Sequence, residues 1–363
     1  MSDNKKPYWH RIENNSKQAQ QADINTQKLH MERYLLPEDR IVPTLKRNRL
    51  ILFLSPLCMI AGICACCILI AYDHAFIGIA FAVLGVILTC AIAMAIIFNE
   101  NHTIKYSLVY QAIKKYFEPD IYLAYRKIPE DIISEADIAD DWDTASASDY
   151  IYGAWKECTF EFADISLRGR ELKSEKPKTI FSGQLFVIET NLALESPICI
   201  RERLQPLSTE MYEGLKNSDR FFLTGNEKFD RQFDVRLGNS RCVSGFEAGT
   251  NGISPSQQRQ KAHEIVDAIA QDIIEADSFA VSRTTMRFSG NRLYLAIENN
   301  RDTFELSRSN MFELLRGDFK QINMLRQRFD EELQNMSMYL DLVTTCLNKL
   351  PHSEQQSAQN DKQ

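Results

Sequence analysis

The chain has 363 residues, which is long enough for one or two domains with a hydrophobic core. Its 42 Lys and Arg residues against 49 Asp and Glu residues give a net charge of −7, which argues against a nucleic-acid binder because such proteins carry a basic field. Hydrophobic residues make up 44% of the chain, and two long apolar runs near the N-terminus exclude a wholly soluble protein.

The first 49 residues form a polar segment. Residues 1–33 are rich in Gln and Asn and contain few apolar side chains, so we expect the beginning of the chain to be disordered. A weak helical pattern follows from Ser16 to Leu36. The segment is expected to lie in the cytoplasm.

The two apolar runs predict a transmembrane helical hairpin over residues 50–98. Residues 50–72 and 75–98 contain no Asp, Glu, Lys, Arg or His, and each run exceeds the roughly 20 residues that cross a bilayer as a helix. Asp73 and His74 alone separate them. Gly78, Ala82 and Gly85 have a spacing that suits close helix contact or simply reflects ordinary use of small residues. The predicted partner of this region is the lipid bilayer.

Basic residues flank the hairpin and set its predicted orientation. They stand before the first helix and after the second, and the connecting turn has none; they are Arg40, Lys46, Arg47, Arg49, Lys105, Lys114 and Lys115. By the positive-inside rule both termini are expected to be cytoplasmic. Because neither helix contains an Asp, Glu, Lys, Arg or His, an anchor is favoured over a carrier.

Residues 99–118 predict a juxtamembrane helix. Apolar residues recur at helical spacing from His102 to Phe117. We interpret the stretch as a continuation of the second membrane helix, and a helix lying on the lipid surface is the alternative. Glu118 and Pro119 are expected to end it.

An acidic segment covers residues 119–149. Between Glu118 and Asp149 there are ten acidic and two basic residues. The cluster Asp137, Asp140, Asp141 and Asp143 lacks the ligand spacing of a calcium loop. A solvated acidic loop is therefore predicted.

Residues 150–350 predict a cytoplasmic α+β domain. The strands are short, mainly antiparallel in their expected pairing, and accompanied by one helix at Lys261–Asp277. Ser289–Asn291 is predicted to be a hairpin turn, and Asn239–Gln258 a loop. The predicted strands are 158–167, 179–190, 196–201, 221–223, 233–237, 284–289, 292–298 and 303–306.

The domain is predicted to end in a long helix at residues 308–350, followed by a disordered tail at 351–363. Its apolar residues form what we call the heptad seam: Leu315, Phe319, Ile322, Phe329, Leu333, Met336, Leu340, Val343 and Leu347. Such a seam suits a coiled coil between chains. Packing of the helix on its own domain is the favoured alternative, because Phe at seam positions is unusual in dimeric coiled coils.

No catalytic, cofactor-binding or metal-binding residue is predicted. The phosphate-binding glycine motifs, the G-x-S-x-G nucleophile elbow and H-E-x-x-H are missing from the sequence. Asp230 and Asp234 are expected to be surface charges on one face of a strand. His263 beside Glu264 is expected on a solvated helix surface.

Three short aromatic stretches resemble a known family. Residues 180–186 (IFSGQLF), 226–235 (NEKFDRQFDV) and 286–297 (MRFSGNRLYLAI) are similar to segments of the bacterial family called domain of unknown function 3137. The resemblance implies two N-terminal transmembrane helices, a cytoplasmic α+β region and no known activity. The motif residues expected in the core are Phe181, Gly183, Phe186, Phe229 and Phe233.

These observations favour a module anchored in the inner membrane that binds a protein partner or self-associates as a homo-oligomer. A membrane-tethered enzyme acting on a lipid-linked or small substrate is one alternative. A small channel or transporter accessory subunit is another. No nucleic acid is expected as a partner.

Overall fold

A computed structural model describes residues 25–350 with internal gaps. The expectations for residues 1–24, for 239–254 within the predicted loop and for the tail at 351–363 lie outside the described residues. The chain forms two compact units, the first made of residues 1–115 and 304–331 and the second of 116–303 and 332–363. The gaps are 27, 30, 127, 140–141, 157, 172–173, 217–221, 239–254, 278–282, 301, 307–312 and 315–319.

The first unit contains three long helices, α1 (Glu38–Leu54), α2 (Pro56–Ala71) and α3 (Ala75–Tyr116), whose last residue already belongs to the second unit. The helix of the first apolar run therefore begins earlier than predicted and is interrupted at Ser55. Proline has no N–H and suits the first position of a helix, so Pro56 starts α2 rather than continuing α1.

α3 is continuous over 42 residues, and so residues 102–116 prolong the second apolar helix as predicted. Their apolar side chains are buried inside the protein, which contradicts the alternative of a helix lying on lipid: Ile104, Leu108, Val109, Ala112 and Ile113. The turn between α2 and α3 places Asp73 at φ 61°, a left-handed conformation that Asp tolerates.

The second unit is built on a six-stranded antiparallel sheet in the order β1-β2-β3-β4-β5, with β6 paired to the other side of β4. Together with the helices this confirms the α+β class. The strands are β1 (Glu118–Leu123), β2 (Thr144–Trp155), β3 (Cys158–Glu171), β4 (Ser174–Glu202), β5 (Phe233–Leu237) and β6 (Thr284–Glu298).

The described residues include five more named helices. They are α4 (Glu130–Ala136), α5 (Thr209–Lys216), α6 (Glu227–Gln232), α7 (Pro255–Asp277) and α8 (Lys320–Lys349). The helix predicted at Lys261–Asp277 is thus longer at its N-terminal end, and residues 255–258 of the predicted loop belong to it. α8 contributes residues up to Glu331 to the first unit and the rest to the second.

The acidic segment is not the solvated loop that we predicted. It contains β1, α4 and the beginning of β2. Apolar residues between the acidic ones drive this folding, since Ile121, Tyr122, Ile132 and Ile133 are buried.

β4 and β6 are long strands where two pairs of short strands were predicted. The predicted hairpin turn at Ser289–Asn291 is wrong, because β6 runs through it and Gly290 pairs with Leu194 of β4. The pairing register shifts on both sides of Leu194, and Gly290 has φ 58°. A glycine at positive φ accommodates a bulge as readily as a turn.

α8 packs within its own chain. Of the heptad seam, Ile322, Phe329, Leu333, Met336, Leu340 and Val343 are buried, Leu347 is half-buried, and Leu315 and Phe319 lie outside the described residues. In the second unit the ring of Tyr339 lies 6.5 Å from that of Phe186 on β4. Lys349 donates to Asp272 of α7 at 2.6 Å. A coiled coil between chains would have to expose these side chains first.

The five motif residues lie in the core of the second unit. Phe181, Phe186, Phe229 and Phe233 are buried, and the last two stack with ring centroids 4.9 Å apart. Gly183 lies where β4 meets β6, and a Cβ there would overlap the carbonyl oxygen of Ile297. The motif therefore describes packing rather than chemistry.

Candidate functional site: the membrane interface and a buried carboxylate cluster

The apolar helices of the first unit expose their side chains. Two helical stretches are long and apolar enough to cross a membrane by length and composition: α1 together with α2, and α3. Only 11% and 6%, respectively, of the residues in their most apolar 18-residue segments are buried. A core helix of a soluble protein would be mostly buried. Exposed apolar surface on this scale indicates association with a membrane.

Glycines bring α2 and α3 into backbone contact. A Cβ on Gly62 would lie 2.7 Å from the carbonyl oxygen of Phe81, and one on Gly85 would lie 2.8 Å from that of Cys58. Gly78 meets the carbonyl oxygen of Cys66 in the same way, at 2.8 Å. Small residues permit such contacts between membrane helices, so the small-residue spacing marks a specific interface.

The break at Ser55 is satisfied by side chains. Pro56 has no N–H for the carbonyl of Leu52, and the Ser55 hydroxyl donates to that oxygen instead, at 2.8 Å. Thr89 of α3 lies within hydrogen-bonding distance of the Ser55 carbonyl, at 3.1 Å. Backbone polar groups need such partners where water is excluded.

A cluster of aromatic rings lies at the end of the apolar part of α3. His102 lies 4.2 Å from Phe98, 5.5 Å from Tyr34 and 6.1 Å from Tyr106, measured between ring centroids. Aromatic side chains are enriched at the headgroup level of membranes. The cluster therefore marks the expected boundary between hydrocarbon and water.

The chain before α1 is tied to α3 just beyond this cluster. The N–H of Leu36 donates to the Ser107 hydroxyl at 2.9 Å, and that hydroxyl donates to the carbonyl of Tyr34 at 3.1 Å. Gln111 donates to the carbonyl of Leu36 at 2.8 Å. These bonds fix where α1 begins.

The basic residues that flank the hairpin differ in exposure. Arg40, Lys46, Arg47, Arg49, Lys114 and Lys115 are exposed, whereas Lys105 is buried. Lys115 pairs with Asp330 of α8 at 3.0 Å, and Arg326 of α8 pairs with Glu38 at 2.9 Å. Of these cations, Lys46, Arg47 and Arg49 lie directly before the first apolar run.

In the second unit three carboxylates converge. One oxygen each of Asp149, Asp164 and Asp302 lies within 4.8 Å of the others. Asp149 and Asp164 are buried on the neighbouring strands β2 and β3, and Asp302 is exposed after β6. Asp149 has φ 56° and lies at a register shift of β2. No single sequence motif predicts this position.

The buried carboxylates of this cluster accept hydrogen bonds from neighbouring residues. Asp164 accepts from the backbone N–H of Thr303 at 2.7 Å and from its hydroxyl at 2.6 Å. Gln184 donates to that hydroxyl at 2.8 Å, and the Tyr122 hydroxyl donates to Asp149 at 2.5 Å. Burial raises the pKa of Asp164 well above its ordinary value, and the nearby charge of Asp149 raises it further.

The cluster offers the oxygen ligands that hard cations prefer. However, Thr303 already bonds to both oxygens of Asp164. The arrangement shown by the structure fastens the chain after β6 to β3.

Asp137 is a second acidic residue that the sequence placed in solvent and the structure buries. It ends α4 at φ 50° and accepts from Arg287 of β6 at 2.8 Å. Arg201 of β4 donates to its carbonyl at 2.8 Å. Asp143 is exposed, and Asp140 and Asp141 lie outside the described residues.

Asp230 is not a surface charge on a strand, as we predicted. It is buried in α6 and accepts from the backbone N–H groups of Thr224 and Gly225 at 2.9 and 3.1 Å. Asp234 lies on β5 and pairs with Arg236 at 2.8 Å. The signal in the sequence was Asn226, whose side chain caps α6.

His263 lies on α7, where a solvated surface was predicted. It is half-buried, and its ring stacks on Phe222 with centroids 4.1 Å apart. Glu264 beside it is exposed. The ring contact assigns His263 a packing role.

Comparison with known proteins adds little. No family model matches the chain, and no curated protein matches it. The chain is similar to the crystal structure of the mycobacterial trehalose monomycolate transport factor A, TtfA, at 11% identity over 64% of this chain and 95% of that chain, with a TM-score of 0.21. A likeness this weak carries no argument, and the resemblance to the domain of unknown function 3137 family stays a prediction.

Proposed function

We propose that the protein is a membrane-anchored cytoplasmic module that binds a protein partner. The observation that carries this proposal is the exposure of two apolar stretches, α1 together with α2, and α3. Only 11% and 6%, respectively, of their most apolar segments are buried. Water would oppose this arrangement by about 25 cal/mol for each Å² of apolar surface. A bilayer removes that cost.

The distribution of basic residues supports an orientation with both termini in the cytoplasm. Arg47 and Arg49 precede the apolar run and are exposed, and Lys114 follows it on α3. The tip at Asp73 and His74 carries no Lys or Arg. Under the positive-inside rule the tip reaches the far side.

The orientation can be tested by cysteine labelling in a cysteine-free background. A cysteine replacing Asp73 should react with an impermeant maleimide added outside intact spheroplasts. A cysteine replacing Lys178, an exposed residue of β4, should react only after lysis. The reverse pattern, or extraction of the protein by alkaline carbonate, would contradict the proposal.

The binding role rests on the anchor and on a sequence without catalytic motifs. Leu204, which follows β4, and Met211, which lies in α5, are exposed large apolar side chains of the second unit. A protein partner could bury them. We would therefore measure native mass spectra of the full-length chain, gently extracted from its own membrane. A stoichiometric partner or a defined oligomer is expected.

A double variant sharpens this measurement. Leu204→Ser with Met211→Ser should weaken the complex, whereas Met338→Ser, which changes an exposed methionine of α8, should leave it intact. A strictly monomeric chain without any partner would count against a binding module.

The carboxylate cluster gives weaker support to a membrane-tethered enzyme. Thr303 and Tyr122 hold its oxygens by hydrogen bonds. A pocket of about 200 Å³ in the same unit is lined by other residues, among them Ile128, Ile133 and Ala147. A co-purified small molecule in the same mass spectra would favour the enzyme.

A further inference from the structure

The last turn of α1 before the apolar run presents three cations. Lys46, Arg47 and Arg49 are all exposed. On the same helix Ile41, Leu45 and Asn48 are buried, and this i, i+4, i+7 set forms the face that packs inside the protein. The cations therefore fan out around the remaining circumference of the helix.

Their height along the helix suits the headgroup layer of a bilayer. A rise of 1.5 Å per residue places Lys46 and Arg49 about 4.5 Å apart along the axis. Directly after them Leu50, Phe53 and Leu54 are exposed. Each headgroup layer is roughly 5–8 Å thick outside the hydrocarbon, so the cations reach this layer when the apolar turn enters the hydrocarbon.

The protein holds this turn in a fixed position. Ser107 and Gln111 of α3 bind the chain just before α1, and the ring cluster around His102 marks the same boundary. The backbone that carries the three cations is therefore ordered before a lipid binds, which lowers the entropy cost of binding.

The local charge is positive. Along α1 the nearest acidic residues are Glu38 and Asp39, a distance of about 10 Å from Lys46 along the helix axis. Glu38 pairs with Arg326 of α8. Within α1, the last turn before the apolar run therefore carries three cations and no anion.

We propose that Lys46, Arg47 and Arg49 form a binding site for the headgroups of anionic phospholipids. The planar guanidinium groups of the two arginines match the phosphodiester in a bidentate manner, and Lys46 adds a third positive charge. This inference rests on the proposed membrane anchor and adds the class of lipid that the anchor prefers.

The test uses the full-length chain in vesicles that contain equal amounts of phosphatidylcholine and phosphatidylglycerol. After mild detergent extraction, native mass spectrometry counts the lipids of each class that the protein retains. A basic residue at an anionic surface is worth about fivefold in affinity. We expect the wild type to retain phosphatidylglycerol preferentially, and Lys46→Gln/Arg47→Gln/Arg49→Gln to lose most of this preference, on the order of a hundredfold if the three residues act independently.

Two controls assign the effect. Arg168→Gln/Lys178→Gln/Lys261→Gln removes the same charge from exposed positions of the second unit and should keep the preference. Lys46→Arg/Arg47→Lys/Arg49→Lys preserves the charge but removes the two guanidinium groups of the site, so it should keep part of the preference. Loss of the preference in either control, or an equal lipid ratio for the wild type and the glutamine triple variant, would overturn the site.

Insertion is scored separately by resistance to alkaline carbonate. A wild type that inserts into both pure phosphatidylcholine and mixed vesicles but shows no lipid preference overturns only this inference. A wild type that carbonate extracts from both overturns the anchor itself.

Discussion

The hairpin and the sheet of this protein treat the same residue types in opposite ways. Phe76 of α3 is 87% exposed, whereas Phe186 of β4 is 0% exposed. In the second unit water drives apolar side chains into a core. The exposed hairpin needs another solvent, and lipid tails are as apolar as its own side chains.

The contacts that hold each region differ accordingly. α2 and α3 touch through Gly62 and Gly85, where backbones meet without side chains between them. The second unit instead buries large apolar residues and a few charged groups that form ion pairs, such as Asp137 with Arg287. Packing of small residues replaces hydrophobic burial where water is absent.

The largest effect is expected from breaking the buried ion pair of the second unit. The side chains of Arg287 and Asp137 are only 5% and 8% exposed, so Asp137→Asn leaves a buried guanidinium without its counter-charge. Asn tolerates the left-handed backbone at this position. We expect a loss of about 3–5 kcal/mol in unfolding free energy, measured by urea unfolding in detergent.

Its control is an exposed pair. Lys156 and Asp341, with side chains 53% and 50% exposed, should contribute no more than about 1 kcal/mol, so Asp341→Asn should change little. Equal losses for the two asparagine variants would contradict the contrast between buried and exposed charge.

A methyl group at Gly183 should also destabilise the sheet strongly. The Cβ of Gly183→Ala overlaps the carbonyl of Ile297, and β4 and β6 must separate to admit it. We expect a loss of about 3 kcal/mol in thermal unfolding of the second unit. Gly214→Ala in α5 meets no atom within 4 Å and should be neutral or slightly stabilising.

The same change in the hairpin tests whether small residues hold it. Gly62→Ala places a Cβ 2.7 Å from the carbonyl of Phe81 and 3.2 Å from the Cα of Gly85, which should cost about 1–3 kcal/mol. Spin labels on Leu57 and Leu88 should report a wider distance between the helices. The unfolding of the sheet should stay unchanged, and an equal loss there would contradict the division into two units.

The smallest effect is a pH dependence at Asp164. Because burial raises its pKa, the folded state binds the proton more tightly than the unfolded state does. The stability of the wild type relative to Asp164→Asn should therefore fall as the pH rises from the ordinary carboxyl pKa through the raised one.

Unfolding at pH 5 and pH 8 measures this difference. A wild type that becomes more stable relative to Asp164→Asn between pH 5 and pH 8 would refute the assignment.

Prediction succeeded where one residue pattern decides one element. The absence of charge over 50–72 and 75–98 predicted two apolar helices, and the period of 102–117 predicted the extension of α3. Prediction failed for the acidic segment, because its charges indicated a solvated loop, whereas Ile121 and Ile132 between them are buried. It failed again at Ser289–Asn291, because a glycine such as Gly290 suits both a turn and a bulge.

The buried polar groups could not be predicted for a different reason. Asp149 and Asp164 lie on separate strands, and Thr303 is 139 residues from Asp164 along the chain. No local window contains such partners. The glycine contacts of the hairpin were visible as spacing, but their partners on the facing helix were not.

By itself the sequence determined which parts of the chain avoid water, because this depends on the composition of contiguous stretches. It also determined the α+β class through the mixture of periods. Only the tertiary structure decided that α8 packs within its own chain, that Asp137 meets Arg287 and that Asp230 is buried. The packing of α8 and the pairing of Asp137 with Arg287 depend on which distant segments meet, and charge or apolarity alone leaves that choice open.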